Sequence, residues 1–183
     1  RQFAALTGAD VAGSTDNTGS TEGSNWSLEF ATGGLIPSNT LADGGWQGVL
    51  ATYTVTNTND SGAGSLRQAI IDANAGAGAD IITFNISGTG THSITPLTAL
   101  PTITGAVTID ATTDDSFGAN LNRPAIIIDG NNGAFEAFVL SSTADGSVIR
   151  GFVLRDFNGD AIEIQAGSDG NTIAGNYIGS VNE

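Results

Sequence analysis

A repeat of 24 residues in the C-terminal part of the chain restricts the possible folds more than any other sequence feature. Short apolar runs alternate there with Gly, Asn, Asp and Pro. The matching positions are Phe138 and Ile162, Leu140 and Ile164, Ile149 and Ile173, Gly151 and Gly175, Val153 and Tyr177, and Leu154 and Ile178. A period in the low twenties, made of short strands and turns, is typical of a parallel β-solenoid, in which each coil packs on its neighbours. From Ile81 to Val181 the spacing allows about five coils, stacked about 4.8 Å apart.

An antiparallel β-sandwich remains the alternative to a solenoid. Asp129-Gly130 and Asn158-Gly159 are dipeptides that can form two-residue hairpin turns. The shared offset of glycine and apolar positions favours the solenoid, because every coil must place its corners and its inward side chains over those of the next coil.

The composition agrees with a β-rich fold and excludes several classes of function. The 183 residues are enough for about one domain. Five Arg and no Lys oppose 19 acidic residues, so the net charge of −14 argues against nucleic acid and anionic membranes as partners. The lack of Cys excludes disulfides, thiolate nucleophiles and Cys-bound metals, and no apolar run is long enough for membrane insertion. Because the chain contains no Met, we expect a processed product or a piece of a longer protein.

One short amphipathic helix is predicted over residues 65–74. Ser65 and Gln68 have the spacing of a capping box, in which the serine hydroxyl and the glutamine side chain bind each other's backbone N–H groups. The helix would carry one apolar stripe, made of Leu66, Ala69, Ile70 and Ala73.

Residues 52–183 resemble a known class of domain. The segment TVTNTNDSGAGSLRQAIIDAN, from Thr54 to Asn74, and the run from Asp80 to Phe84 resemble the N-terminal segment of right-handed parallel β-helix domains of the pectate-lyase-like superfamily, found in large bacterial surface proteins. The stretch 147–178 is similar to the coil repeats of that superfamily. The resemblance implies an all-β fold, a right-handed parallel β-helix of about five coils, with the helix at 65–74 capping its N-terminal end. The handedness rests on this resemblance alone.

Residues 1–51 have a different character. The pattern predicts the end of a helix before Gly8, a polar linker, and one or two strands that contain Trp26 and Trp46. The runs that begin at Leu6, Trp26 and Gly48 are similar to the tail of an uncharacterised N-terminal domain of giant secreted bacterial adhesin-like proteins. We therefore expect an N-terminal extension over 1–51 and an extracellular or cell-surface location.

Self-assembly is the function that we expect of such a chain. A solenoid exposes unpaired backbone groups at each end, and no capping element is recognisable after the last coil, at residues 180–183. A strand of the extension can add to this edge of another copy, which builds a head-to-tail filament. The candidate assembly residues are Trp26, Leu28, Phe30, Trp46, Val49 and Val181. The expected function is thus a non-enzymatic scaffold or adhesin segment.

A polysaccharide-binding or polysaccharide-cleaving β-helix is the alternative, because the superfamily includes lyases and hydrolases. Such lyases use a basic residue, but Lys is absent and Arg67 falls on the predicted helix. Asp156, Asp160 and Glu163 lie on a single turn and strand, whereas paired catalytic carboxylates face each other about 5–10 Å apart. We predict no catalytic residue, and we expect Trp26 and Trp46 to be packing residues rather than sugar-stacking platforms.

No cofactor is expected, although calcium is considered. Asp114, Asp115, Asp129 and Asp169 offer the hard oxygen ligands that calcium prefers, but the same residues suit ordinary turns. His92 is the only histidine, and its polar, glycine-containing surroundings predict a surface loop.

Overall fold

The computed structural model describes residues 50–179 and two short strands that precede them. The chain divides into two compact units, Arg1–Gly48 and Val49–Glu183, whereas the sequence pattern places the boundary after residue 51. In the first unit, β1 (Ala12–Gly13) pairs antiparallel with β2 (Phe30–Ala31). Phe30 is thus part of a strand. The helix end predicted before Gly8 lies outside the described residues, as do Trp26, Leu28, Trp46, Val49 and Val181.

The second unit consists mainly of short β-strands, so the all-β class is confirmed. All strand pairs among its described residues are parallel. The antiparallel sandwich is therefore wrong for this part of the chain, and Asp129-Gly130 lies within a strand. The strands are β3 (Thr52–Val55), β4 (Asp80–Phe84), β5 (His92–Ile94), β6 (Val107–Asp110), β7 (Ile126–Gly133), β8 (Phe138–Leu140), β9 (Val148–Arg150), β10 (Phe152–Phe157), β11 (Ile162–Ile164), β12 (Thr172–Ala174) and β13 (Tyr177–Ile178).

The strands form three parallel sheets, which the chain visits in turn. Sheet A has the order β3-β4-β6-β9-β12, and sheet B has the order β5-β7-β10-β13. Sheet C pairs β8 with β11, and a single bridge from Ile103 to Leu140 extends it. In every sheet, neighbouring strands follow each other in chain order, so each return of the chain adds one strand on the same side.

The predicted 24-residue repeat is the register of these sheets. Phe138 faces Ile162 in sheet C, Ile149 faces Ile173 in sheet A, and Leu154 faces Ile178 in sheet B. The two matching glycines, Gly151 and Gly175, both have a positive φ, of 82° and 63°. Glycine suits these corners because it adopts such a backbone without a Cβ clash.

The predicted helix is present as α1, Leu66–Ala75, with Ser65 as its N-cap. The Ser65 hydroxyl oxygen accepts the Gln68 N–H at 3.2 Å. The prediction of a reciprocal bond, from the Ser65 N–H to the Gln68 side chain, is wrong. The Gln68 amide donates to Asp72, and the Ser65 N–H donates to the Gly62 carbonyl. The apolar stripe is buried at Leu66, Ala69 and Ile70.

A second short helical segment was not expected from the sequence. A 3₁₀ turn at Ala111–Thr113 leads into α2, Asp115–Ala119. These segments are too short to show a helical period, and side-chain caps hold them: Asp110 accepts the Thr112 N–H, and Asp114 accepts the Ser116 N–H. Within the described ranges, no helix has the length and apolar character needed to cross a membrane.

The core of the second unit contains a cluster of three buried phenylalanines. The Phe152 ring lies 5.4 Å from the Phe84 ring and 5.4 Å from the Phe138 ring, measured between centroids. These residues come from three strands in all three sheets, namely β4, β10 and β8. The cluster therefore joins the sheets across the interior.

We expect Phe152→Ala to lower the free energy of unfolding by about 3–5 kcal/mol, because it removes a fully buried ring and leaves a cavity. Tyr177→Ala removes an aromatic side chain that is 44% exposed, and should cost less than about 1 kcal/mol. Urea titrations of dilute protein, followed by circular dichroism, measure both values. Equal losses for the two variants would show that the phenylalanine cluster is not central to the core.

Candidate functional site

The candidate site is the outer edge of the three sheets at β11, β12 and β13, which we call the open edge. Among the described residues, each of these strands has a neighbouring strand on one side only. The N–H and C=O groups that point to the other side have no strand partner among residues 50–179.

Apolar columns that are buried inside the sheets reach the surface at the open edge. Leu140 and Leu154 are fully buried, whereas the residues that face them, Ile164 and Ile178, are 45% and 57% exposed. Tyr177 is also exposed. Within residues 50–179, the open edge thus combines backbone groups that have no strand partner with exposed apolar side chains.

A column of polar side chains, the corner column, runs along the start of the sheet A strands. The Asp80 carboxylate accepts the Ala51 N–H at 2.9 Å, and the Ser147 hydroxyl accepts the Val107 N–H at 3.1 Å. The Asn171 amide oxygen accepts the Ser147 N–H at 2.8 Å. In each case a side chain of the later strand accepts a hydrogen bond from a backbone N–H at the start of the preceding strand.

The corner column was missed at the sequence level, although the chain carries a signal for it. An acceptor side chain stands two residues before an isoleucine in Asp80-Ile81-Ile82, Ser147-Val148-Ile149 and Asn171-Thr172-Ile173. Three short matches were not recognisable as one column before the sheet register was known.

Asn176 provides a similar bond at the start of β13. Its side-chain oxygen accepts the Phe152 N–H at 2.9 Å, and its amide donates to the Ile149 carbonyl at 2.9 Å. A cleft of about 350 Å³ opens at the C-terminal ends of β10 and β13. Residues that line this cleft include Asn132, Leu154, Arg155, Asp156, Phe157 and Ile178.

Three arginines are engaged in structural contacts. Arg67 on α1 donates to the carbonyls of Asp60, Thr98 and Ala99 and to the Asp60 carboxylate. Arg150 pairs with Asp110, and Arg155 pairs with Asp129. Each of the latter two pairs joins residues in register on neighbouring strands.

Two of these contacts shift the carboxyl group's pKa. The hydrogen bond from Arg67 holds the pKa of Asp60 below its usual value, with help from the Leu97 N–H. Burial raises the pKa of Asp110, but hydrogen bonds from Arg150 and Thr112 outweigh it and keep that pKa low. Both carboxylates are thus stabilised in the charged form.

His92 is buried, so the prediction of a surface loop is wrong. It is the first residue of β5, and its Nε2 lies 3.9 Å from Asp114 Oδ1. The polar residues around His92 gave no strand pattern in the sequence, although β5 pairs with β7 in the structure.

Asp114 holds the segment after β4 to the start of α2. Its carboxylate accepts the N–H of Ile86 at 2.8 Å, and the N–H and hydroxyl of Ser116. Burial raises the pKa of Asp114, but these hydrogen bonds and the nearby His92 outweigh burial and hold the pKa below its usual value.

The four candidate calcium ligands are not brought together as one site. Asp114 binds backbone N–H groups, Asp115 is the exposed first residue of α2, and Asp129 pairs with Arg155. Asp169 is exposed in a separate turn. Across residues 50–179, no group of three or more His, Asp or Glu residues is placed to hold a metal ion. The expectation of no cofactor, with calcium as the alternative, stays a prediction.

The acids considered for hydrolysis do not form a facing pair between registered strand residues. Asp156 and Asp160 are exposed, and Glu163 faces Val139 of the neighbouring strand. Asp156 lies 3.6 Å from Arg155 and has a positive φ of 57°.

Comparison with known protein families gives a match for the N-terminal part of the chain. Residues 1–50 match the model of a domain of unknown function, DUF4347. No curated protein and no solved structure matches the chain. The resemblance of residues 1–51 to an uncharacterised N-terminal domain is therefore supported for that part, while the resemblance of residues 52–183 stays a prediction.

We expect the stability of the protein to fall on acidification, and the Asp114→Asn variant to lose less than the wild type between pH 6 and pH 3. The folded-state pKa of Asp114 is lowered, so its contribution is complete above the unfolded pKa, about 4, and is lost as the pH falls through the folded value. Urea titrations at each pH measure the slope. The exposed Asp160→Asn variant is the control, and identical slopes for all three proteins would contradict the role of Asp114.

Proposed function

We propose that the second unit is a right-handed parallel β-helix of about five coils, capped at its N-terminal end by α1. The parallel pairing, the chain order of the strands within each sheet and the 24-residue register support this fold. The buried face of α1 packs into the same core as Val55, Ile82 and Ile103. The right-handedness is taken from the resemblance to the pectate-lyase-like superfamily.

The protein that carries this unit is, in our proposal, a non-enzymatic structural protein of the bacterial cell surface or extracellular space. It acts as a scaffold or adhesin segment, and copies associate head-to-tail by strand addition at the open edge. The observation that supports this function is the open edge, where, among the described residues, strands with a neighbour on one side only coincide with exposed apolar residues. A contact between two different surfaces of the same chain does not close, and so produces a filament.

The charged residues favour a structural role over a catalytic one. Arg67, Arg150 and Arg155 bind structural acceptors, and Glu163 faces Val139 on the neighbouring strand. The extracellular location follows from the resemblance of both parts of the chain to bacterial surface proteins.

Polysaccharide binding is the second candidate function, and the cleft at the end of β10 favours it. Phe157 supplies an aromatic ring there, and Asn132 and Asp156 supply polar groups, which is the combination that sugars bind. The cleft also adjoins Ile178 of the open edge, so an added strand would compete for the same space.

We expect wild-type protein to form oligomers that grow with concentration and with salt, since salt screens the repulsion between chains of net charge −14. Ile178→Lys should abolish them, because it places a charge on the apolar part of the open edge. Sedimentation velocity and electron microscopy measure the assembly.

Leu121→Lys is the matched control, because it makes the same kind of change at an exposed leucine outside the open edge. Wild-type protein that stays monomeric at every concentration and salt level would refute self-assembly. Binding or shortening of polygalacturonate or neutral glycans, lost in Phe157→Ala, would establish the second candidate instead.

A further inference from the structure

We propose that a calcium ion binds beside the C-terminal end of α1, with oxygen ligands from Asp80, Tyr53 and the Ala73 carbonyl. This inference concerns the end of sheet A that lies against α1, and it does not rest on self-assembly at the open edge.

Asp80 is a carboxylate on the inner face of β4. It shares this face with Ile82 and Phe84, and only 1% of its surface is exposed. Its Oδ1 accepts the Ala51 N–H at 2.9 Å, whereas its buried Oδ2 has no hydrogen-bond partner among the described residues. The ion pairs found within residues 50–179 do not include Asp80. Because a buried charge without a partner is costly, Oδ2 favours a bound cation.

Two further oxygen atoms lie near the same place. A methyl group on Gly76 would lie 2.6 Å from Asp80 Oδ2. The same methyl group would lie 3.4 Å from the Tyr53 hydroxyl oxygen and 3.5 Å from the Ala73 carbonyl oxygen. One charged and two neutral oxygens therefore converge on one small region. Calcium prefers such hard oxygen ligands and completes its coordination with water.

The charges around this region also favour a cation. The Gly76 N–H caps α1 by donating to the carbonyls of Asp72 and Ala73, and the last turn of α1 carries no basic residue. The negative end of the helix dipole is therefore not offset within that turn. Burial, and then the charges of Asp80 and Asp72, raise the pKa of Tyr53 above its usual value. A divalent cation would balance the charges of these two carboxylates.

A cleft between β3 and α1 connects this region with solvent. It has a volume of about 200 Å³, and Tyr53, Gln68 and Asp72 are among the residues that line it. The Gln68 amide donates to the Asp72 carboxylate at 2.8 Å, which holds that carboxylate in place. Because the protein supplies two carboxylates and few other oxygens, we expect weak binding, with a Kd on the order of 0.1–1 mM.

Thermal unfolding of the dilute full-length chain, followed by circular dichroism, tests the site. Calcium chloride at about 10 mM should raise the melting temperature by about 3–8 °C over sodium chloride of the same ionic strength. Asp80→Asn removes the charge but keeps an acceptor oxygen for the Ala51 N–H, and it should abolish this shift. Asp160→Asn neutralises an exposed acid and should keep the full shift.

Isothermal titration calorimetry with calcium chloride is a second test, which does not depend on the folding of Asp80→Asn. Tyr53→Phe removes the hydroxyl oxygen and keeps the ring, so it should weaken calcium binding by about 3- to 10-fold. Tyr177→Phe makes the same change at an exposed tyrosine on β13 and should leave the Kd unchanged.

Three results would overturn the proposed site. The first is a wild-type chain that gains no more stability from calcium than from sodium at equal ionic strength. The second is a calcium shift in Asp80→Asn that equals the wild-type shift, and the third is equal calcium affinity in Tyr53→Phe and Tyr177→Phe. Each of these results leaves the proposed self-assembly standing, because the open edge contains none of the proposed ligands.

Discussion

Parallel backbone pairing between successive passes of the chain is the constraint on which the second unit depends. A strand in sheet A or B receives its neighbours from the preceding and following passes, so no pass can bury its apolar face alone. The register then stacks like on like, as Ile82, Ile109 and Ile149 show. The stability of the unit is accordingly shared between layers, and each layer needs a cover.

The polar groups at the corners follow from the same constraint. A chain that turns sharply at the end of each short strand leaves backbone N–H groups that the sheet does not pair, and leaving such groups buried without a partner is costly. Asp80, Ser147 and Asn171 supply acceptors at one corner, and Asp114 supplies them at the start of α2. These side chains fix the layers relative to each other with bonds that apolar packing does not provide.

The two ends of the sheets differ in how their apolar side chains are covered. Near β3 and β4, the apolar stripe of α1 lies in the core, and Arg67 donates hydrogen bonds to the carbonyls of Thr98 and Ala99. At β11 to β13 the described residues provide no such cover, and the side chains that continue the buried columns are exposed. The apolar side chains of α1 are thus buried at one end of the sheets, whereas Ile164 and Ile178 are exposed at the other end of the described residues. The proposed structural role rests on this difference between the two ends of the described sheets.

The sequence by itself determined the elements that depend on local chemistry or on a fixed spacing. The helix at Leu66–Ala75 was predictable because Ser65 caps it and one stripe is apolar, and the 24-residue repeat was predictable because stacked layers demand matching residues. Only the tertiary structure decided the burial of His92, the position of α2 and the alignment of Asp80, Ser147 and Asn171. Those features depend on contacts between residues 22 to 40 positions apart, such as His92 with Asp114 and Val107 with Ser147. Insertions between layers change the sequence separation of the contacting residues. A single period in the sequence therefore does not predict these contacts, and only the register of the sheets brings the residues together.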